Sequence, residues 1–212
     1  MGIREAKETF KNKKLKRKIV KLEKLWNDIG VHEYHRWGTR LLRPIELFGK
    51  LSKEKQLDKY NLLDIGCYNG VLSVMAAKHF NSVIGIERHK DRTASARITL
   101  KELGNSGNCR FKKTTFKAYA ERGYFARHDI NAILATQVLY HMSTEEIDLL
   151  KKQLKNRIKF AMIGSRPNKN ASQNKYDLRT TESVLEILIK PYFDNWKIYY
   201  EDKRHPMIVA EK

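Results

Sequence analysis

The sequence predicts an α/β fold with a doubly wound, mainly parallel sheet of seven strands, an antiparallel C-terminal strand and an N-terminal helical extension. From Tyr60 onward, short apolar runs alternate with amphipathic segments, which is the pattern of parallel strands joined by helices. The first of these runs ends in a glycine-containing turn, "DIGCYNG". The chain of 212 residues is long enough for one such domain and a short extension.

Residues 1–58 are predicted to be a basic helical extension, and residues 59–212 to be the α/β domain. Within 3–28, apolar side chains recur at helical spacing, and ten basic residues stand against three acids between positions 4 and 24. Such a helix can pack as an ordinary amphipathic helix or contact a nucleic acid or a membrane surface. A second, mostly helical segment covers 31–57, where Pro44 is compatible with a helix start.

Within the α/β domain, the order of elements follows from the hydrophobic pattern and the turn residues. Ser143 or Thr144 with Glu146 resembles a capping box before the helix that follows the fourth strand. The last two runs, separated by a polar link around Arg204 and Pro206, predict a terminal hairpin. Strands are predicted at 61–66, 82–88, 108–116, 131–141, 159–166, 195–203 and 205–212, and helices at 70–80, 90–104, 143–155 and 181–193.

The turn at residues 64–70 has the composition of a cofactor turn. A dinucleotide fingerprint needs G-x-G-x-x-G and a P-loop needs G-K-[S/T], and G-C-Y-N-G provides neither. Asp64 stands two residues before Gly66, and Glu87 ends the next predicted strand. A carboxylate such as Glu87 can accept hydrogen bonds from a ribose diol, while Asp64 favours a cationic group. The alternative is a structural turn with a buried aspartate.

This arrangement resembles motif I of class I S-adenosylmethionine-dependent methyltransferases, which have a Rossmann-like sheet. The resemblance implies an active enzyme with S-adenosylmethionine (SAM) as its cofactor. Tyr68 departs from the usual D-x-G-x-G-x-G form because it replaces the middle glycine. Its side chain is expected to point away from the cofactor or to pack along it, so Tyr68 bears on cofactor affinity. The residues implied to hold the cofactor are Asp64, Gly66, Cys67, Tyr68, Gly70, Glu87 and Gln137.

The segment "QVLYHMSTEEIDLLKKQL" is similar to a family of bacterial enzymes that modify the wobble uridine of tRNA. These enzymes transfer a carboxymethyl group from carboxy-S-adenosylmethionine, so the donor here is SAM or its carboxylated form. The resemblance implies that Tyr140 and His141 meet the transferred group, and that Arg36 beside Trp37, and Arg204, supply cations. His141 is also a candidate general base. Alternatively, Tyr140 closes the pocket and His141 caps the next helix.

The charge predicts a polyanionic partner, RNA first. Lysine and arginine outnumber aspartate and glutamate by 43 to 24, which gives a formal net charge of +19. Residues 151–175 carry eight basic side chains and no acid. Arg166 and Lys169 from this stretch, with Arg204, are the predicted substrate contacts. A further basic group flanks the third strand: Arg110, Lys112, Lys113 and Lys117.

The sequence therefore predicts a cytoplasmic SAM-dependent methyltransferase that acts on RNA, with tRNA favoured. One alternative is a small-molecule or lipid methyltransferase whose charge is incidental. Another is a non-catalytic nucleic-acid-binding protein in which Tyr68 blocks the cofactor. Cys67 and Cys109 show neither a disulfide framework nor zinc-ligand spacing, which fits a reducing cytosol. No apolar run approaches the roughly 20 residues of a membrane span.

Overall fold

The computed structural model describes residues 17, 21–22, 24–27, 37–104, 107–164, 178, 180–200 and 206–212. These residues include seven strands that form one sheet. In chain order the strands are β1 (Asn61–Ile65), β2 (Ser82–Glu87), β3 (Cys109–Lys113), β4 (Ala132–Thr136), β5 (Phe160–Gly164), β6 (Asn195–Tyr199) and β7 (Met207–Glu211).

The order of the strands across the sheet is β3-β2-β1-β4-β5-β7-β6. The first five strands of the chain run parallel to their neighbours, and β7 lies antiparallel between β5 and β6. The predicted doubly wound, mainly parallel sheet with an antiparallel C-terminal strand is therefore confirmed. The strand order changes direction between β1 and β4, which is where open α/β sheets bind ligands.

Helices cover both faces of the sheet. In chain order they are α1 (Trp37–Glu54), α2 (Val71–Ala76), α3 (Lys90–Leu103), α4 (Phe116–Glu121), α5 (Tyr124–Arg127), α6 (Thr144–Asn156) and α7 (Thr181–Val184), which continues as a π-helical turn over Leu185–Ile189. The capping box of α6 is confirmed: Glu146 N–H donates to Ser143 Oγ (3.2 Å), and Ser143 N–H donates to Glu146 Oε2 (3.0 Å).

Two hydrophobic cores lie on opposite faces of the sheet, because successive strand residues point to opposite sides. Leu62 belongs to the core beneath α1, α2 and α3, and Leu63 belongs to the core beneath α4, α6 and α7. The described helical residues before α1 join the first core through Leu22 and Trp26, which are fully buried. This part of the predicted basic helix therefore packs its apolar side against the first core. The division at residue 58 stays a prediction.

Pro44 lies inside α1 and not at its start, which corrects the prediction. A proline within a helix removes one backbone hydrogen bond and costs about 3 kcal/mol. The helix continues through it because Leu47, Phe48 and Leu51 are buried in the first core. Among the described residues, no helix has both the length and the apolar character needed to cross a bilayer.

Parts of the element prediction were wrong. The third strand was predicted to reach residue 116, but it ends at Lys113, and Phe116 already belongs to α4. The fourth strand ends at Thr136, where its partner β5 also ends at Gly164, and does not continue to residue 141. The connection from the third to the fourth strand contains α4 and α5, which the prediction lacked. A parallel crossover needs such a segment to return the chain across the sheet. Phe116 and Phe125 provide the buried side of these short helices.

Candidate active site

A cavity of about 520 Å³ opens at the carboxyl ends of the parallel strands. Its volume falls within the roughly 300–1,000 Å³ that is usual for small-molecule sites. The turns that follow β1, β2, β3 and β4 all contribute to its wall, together with Leu41 and Pro44 of α1. The sequence-predicted residues that line it are Asp64, Gly66, Cys67, Tyr68, Glu87, Gln137, Tyr140 and His141.

Two buried carboxylates occupy adjacent strand ends of this cavity. Asp64 is 2% exposed and accepts a hydrogen bond from Ser73 Oγ at 2.5 Å. Glu87 is 5% exposed, and its Oε1 accepts from the His89 backbone N–H at 3.0 Å. Neither carboxylate forms an ion pair within the described ranges of the chain.

Burial raises the pKa of Asp64 to about 7. The hydrogen bond from Ser73 partly opposes this rise, and the negative charge of Glu87 adds to it. An ionised Asp64 is therefore costly until a positive charge approaches it. The same cavity wall thus suits a ligand that carries a cation and also offers hydroxyl groups to Glu87.

The glycines of the turn permit close packing of the backbone. Gly66 has a φ of 68°, and a Cβ built on it would lie 2.6 Å from Val138 Cγ2 in the turn after β4. Gly70 has a φ of 76°, and its Cβ would lie 2.5 Å from the Phe111 ring. Gly66 therefore allows the turns after β1 and β4 to meet. Gly70 is the N-cap residue of α2 and is outside the cavity wall, although it was predicted as a cofactor residue.

Tyr68 lines the cavity in a left-handed backbone conformation, with a φ of 53°. This is the conformation that glycine usually supplies in such turns. The guanidinium carbon of Arg92 lies 4.5 Å from the centroid of the Tyr68 ring, a cation–π arrangement that fixes the ring. The tyrosine is thus part of the cavity wall.

Replacing Tyr68 by glycine is expected to weaken the binding of S-adenosylhomocysteine by about 1 kcal/mol, roughly fivefold in Kd, because an aromatic contact is lost. Titration calorimetry measures this change. Tyr68→Phe keeps the ring and is expected to bind as the wild type does. Tighter binding by the glycine variant would mean that the ring crowds the site.

The turn after β4 brings two further predicted residues to the cavity. Gln137 has a φ of 56°, and its N–H donates to Gly164 O at 3.2 Å. A 3-10 turn then spans Leu139–His141, where the ring centroids of Tyr140 and His141 lie 4.2 Å apart. Ser143 caps the helix that follows, so the alternative helix-capping role for His141 is wrong.

Several cavity residues were not predicted. Arg88 and Arg92 follow Glu87 closely, so the sequence position after a cofactor acid could have indicated them. Leu41, Pro44 and Met207 come from distant parts of the chain, and no local pattern points to them. The remaining unpredicted residues of the wall include Asn69, Leu72, Thr114, Thr115, Phe116, Val138, Met142 and Glu146. The predicted Arg36, Arg166, Lys169 and Arg204 lie outside the described residues.

A family model described as a methyltransferase domain matches residues 56–205. The chain belongs to this methyltransferase-domain family. The family match and the strand order of the sheet together identify the chain as a class I, SAM-dependent methyltransferase. A search of curated proteins by sequence finds no match.

Solved structures share the fold of this methyltransferase at low identity. The magnesium protoporphyrin IX methyltransferase of Synechocystis PCC 6803, solved with bound SAM, is 12% identical, with a TM-score of 0.58, and the match covers 100% of this chain and 98% of that one. An rRNA methylase from Streptococcus thermophilus is 17% identical, with a TM-score of 0.57, over 80% and 96% of the two chains.

The N-terminal domain of EvdMO1, solved with bound S-adenosylhomocysteine, is 14% identical, with a TM-score of 0.61, over 85% of this chain and 86% of that one. A second structure of EvdMO1 contains a longer chain, and the match to it covers 79% of this methyltransferase and 40% of that chain, with 15% identity and a TM-score of 0.59. The methyltransferase thus spans less than half of that longer protein.

Proposed function

We propose that this methyltransferase modifies RNA, with tRNA ahead of other RNAs, and uses SAM or its carboxylated form as donor. The observation that carries the proposal is the charge at the mouth of the cavity. Arg88, Lys90 and Lys113 are exposed at the ends of β2 and β3, and Arg92 lines the cavity itself. Asp91 is the one acid between positions 88 and 92. Such an excess of positive charge favours an acceptor that carries phosphates.

The two buried carboxylates fit SAM as the donor. Glu87 would accept hydrogen bonds from the ribose hydroxyls, since each carboxylate oxygen can accept more than one and the His89 N–H uses only part of this capacity. Asp64 would lie on the side of the ammonium and sulfonium groups. Tyr68 would form an aromatic wall beside them. When bound, SAM supplies an electrophilic methyl group that is bonded to a sulfonium sulfur, and the sulfur leaves readily as a thioether.

The acceptor side of the site is the turn after β4. We assign Tyr140 and His141 to the acceptor, because both side chains line the cavity and their rings touch. His141 would remove a proton from the acceptor oxygen or nitrogen, as a general base near neutral pH. Arg36 and Arg204 remain proposed contacts to the transferred group, and Arg166 and Lys169 remain proposed contacts to the RNA.

The apolar part of the wall favours a second candidate function. Leu41, Pro44, Met142 and Met207 face the same cavity from three different parts of the chain. Such a wall suits an apolar acceptor, and a small-molecule or lipid methyltransferase is therefore the rival. The fold itself does not decide, since the similar structures include an rRNA methylase and a magnesium protoporphyrin IX methyltransferase.

Incubation of the purified protein with unmodified tRNA and isotopically labelled SAM is expected to place the label in one nucleoside. Mass spectrometry of the digested RNA identifies that nucleoside and distinguishes a methyl from a carboxymethyl product when the carboxylated donor is used in parallel. The control is His141→Gln, which is expected to lower the rate by roughly 10²- to 10⁴-fold if the imidazole acts as a base.

The rival function makes the opposite prediction in the same experiment. A small-molecule methyltransferase would leave the RNA unlabelled at every salt concentration, while still binding S-adenosylhomocysteine. The remaining alternative, a non-catalytic RNA-binding protein, would bind RNA and fail to bind S-adenosylhomocysteine by calorimetry.

A further inference from the structure

A second group of cationic and aromatic side chains lies beside β3, outside the cavity. Lys112 Nζ lies 4.1 Å from the centroid of the Tyr124 ring and 3.1 Å from His128 Nε2. Arg127 approaches the same Tyr124 ring, with its guanidinium carbon 5.1 Å from the centroid. We call Arg110, Lys112, Tyr124, Arg127 and His128 the β3-edge cluster.

The β3-edge cluster stands on a buried aromatic base. Tyr119 is 0% exposed, and its ring centroid lies 5.3 Å from that of Tyr124 and 6.0 Å from that of His128. The Tyr124 and His128 rings are 5.4 Å apart. Lys112 and Arg127 are therefore held over the Tyr124 ring, unlike lysines that extend freely into solvent.

The charges of the cluster lack a counterion. Arg110, Lys112 and Arg127 form no ion pair with a carboxylate in the part of the chain that the structure describes. Asp129 is adjacent in sequence, but its carboxylate accepts from Asn61 Nδ2 at 3.3 Å. Three like charges in one place repel one another until an anion approaches.

The histidine of the cluster responds to this charge. The pKa of His128 is lowered by burial and, in addition, by the positive charges of Arg110, Lys112 and Arg127. Because a lysine ammonium can only donate, we infer that the neutral ring accepts from Lys112 through Nε2. Nδ1 is buried and has no hydrogen-bond partner among the described residues. The local field is positive enough to discourage one more cation, as expected for an anion site.

The position of the cluster connects it to the cavity. Thr114, Thr115 and Phe116 directly follow β3 and line the cavity wall. Lys112 precedes Thr114 by two residues, which is about 7 Å along a strand. An acceptor chain that leaves the cavity over the end of β3 would reach the cluster within that distance.

We propose that the β3-edge cluster binds phosphate groups of the RNA backbone next to the nucleotide that enters the cavity. This inference rests on the proposed RNA-modifying function. RNA is favoured over an acidic protein because Arg88 and Arg92, which line the cavity, place further positive charge where the reacting nucleotide would enter. Phosphate contacts fix the register of the RNA, while the cavity selects the base.

The test compares two triple variants that remove the same charge. In the cluster variant, Arg110→Gln, Lys112→Gln and Arg127→Gln keep the side-chain stems but remove the cations. The control variant is Lys53→Gln, Lys78→Gln and Lys159→Gln, three exposed lysines near the amino ends of the strands. The probe is a fluorescently labelled tRNA without modified nucleosides. Its binding is measured by fluorescence anisotropy at salt concentrations from about 50 to about 200 mM, a range over which phosphate contacts make the affinity strongly salt-dependent.

The cluster variant is expected to bind the tRNA roughly tenfold more weakly, and its slope of log Kd against log salt should fall by about two, since each single-strand phosphate contact contributes about 0.7. The control variant should bind within roughly twofold of the wild type. S-adenosylhomocysteine binding should be unchanged in both variants, because none of the six side chains lines the cavity. That result also shows that both variants are folded.

Equal losses in the two variants would show that only total charge matters and would overturn the inference. A cluster variant that binds tRNA like the wild type would also overturn it, while wild-type tRNA binding and modification would leave the proposed function standing. A wild-type protein that neither binds nor modifies tRNA would overturn both.

Discussion

Replacing Glu87 by glutamine is expected to weaken the binding of S-adenosylhomocysteine by about 2–3 kcal/mol, roughly 30- to 150-fold in Kd, because a charge-assisted acceptor for the ribose hydroxyls is lost. The substitution keeps the shape of the side chain. Its amide oxygen can still accept from the His89 N–H, which orients Glu87 in the native turn. Titration calorimetry measures the loss.

The matched control is Glu54→Gln, the same chemical change at an exposed carboxylate near the opposite end of the sheet. It is expected to leave binding unchanged. The melting temperature of Glu87→Gln should not fall, because the substitution replaces a buried charge by a neutral group that keeps its hydrogen bond. Wild-type affinity in Glu87→Gln would contradict the assignment and favour a purely structural turn.

Gly66→Ala is expected to destabilise the protein by about 2–4 kcal/mol, because it combines a left-handed backbone with an overpacked contact. The added Cβ would lie 2.6 Å from Val138 Cγ2, so the turns after β1 and β4 would have to separate. S-adenosylhomocysteine binding should also weaken, since both turns line the cavity. Denaturant unfolding measures the first effect and calorimetry the second.

Two comparison variants separate the two causes. Gly123 has the same φ of 68° as Gly66, but a Cβ on it would meet nothing within 4 Å, so Gly123→Ala measures the backbone cost alone. Val138→Ala removes the clashing methyl groups and should restore part of the stability of Gly66→Ala in a double-mutant cycle. Equal losses in Gly66→Ala and Gly123→Ala, with no rescue, would show that the contact between the turns is unimportant.

The residues that the sequence predicted best are those whose role follows from their place on a strand. Asp64 was predicted two residues before the first glycine of the turn and Glu87 at the end of the second strand, and both line the cavity. A strand end is visible in the sequence because an apolar run stops at a polar residue, and parallel strands bring their carboxyl ends to one edge.

The residues that the sequence did not predict depend on contacts between distant segments. Leu41 and Met207 reach the cavity only because α1 and β7 pack beside it. Gln137 was predicted as a cofactor residue but was placed inside a strand, whereas β4 ends at Thr136 and Gln137 itself has a left-handed backbone conformation. The β3-edge cluster was predicted in part, because its basic strand residues are adjacent in sequence whereas Tyr124 and His128 join them through α5.

The buried positions of the two cysteines have a consequence for the chemistry of their thiols. Cys67 and Cys109 are the only cysteines of the chain, and both are free and buried. Burial and the nearby carboxylate Asp64 raise the pKa of both, to about 12 for Cys109. Because the thiolate is the reactive form, both thiols are expected to react slowly with alkylating reagents in the folded enzyme. Cys67 lines the cavity, which a reagent can enter, whereas Cys109 is buried outside the cavity wall, so labelling of Cys109 reports local opening of the protein around β3.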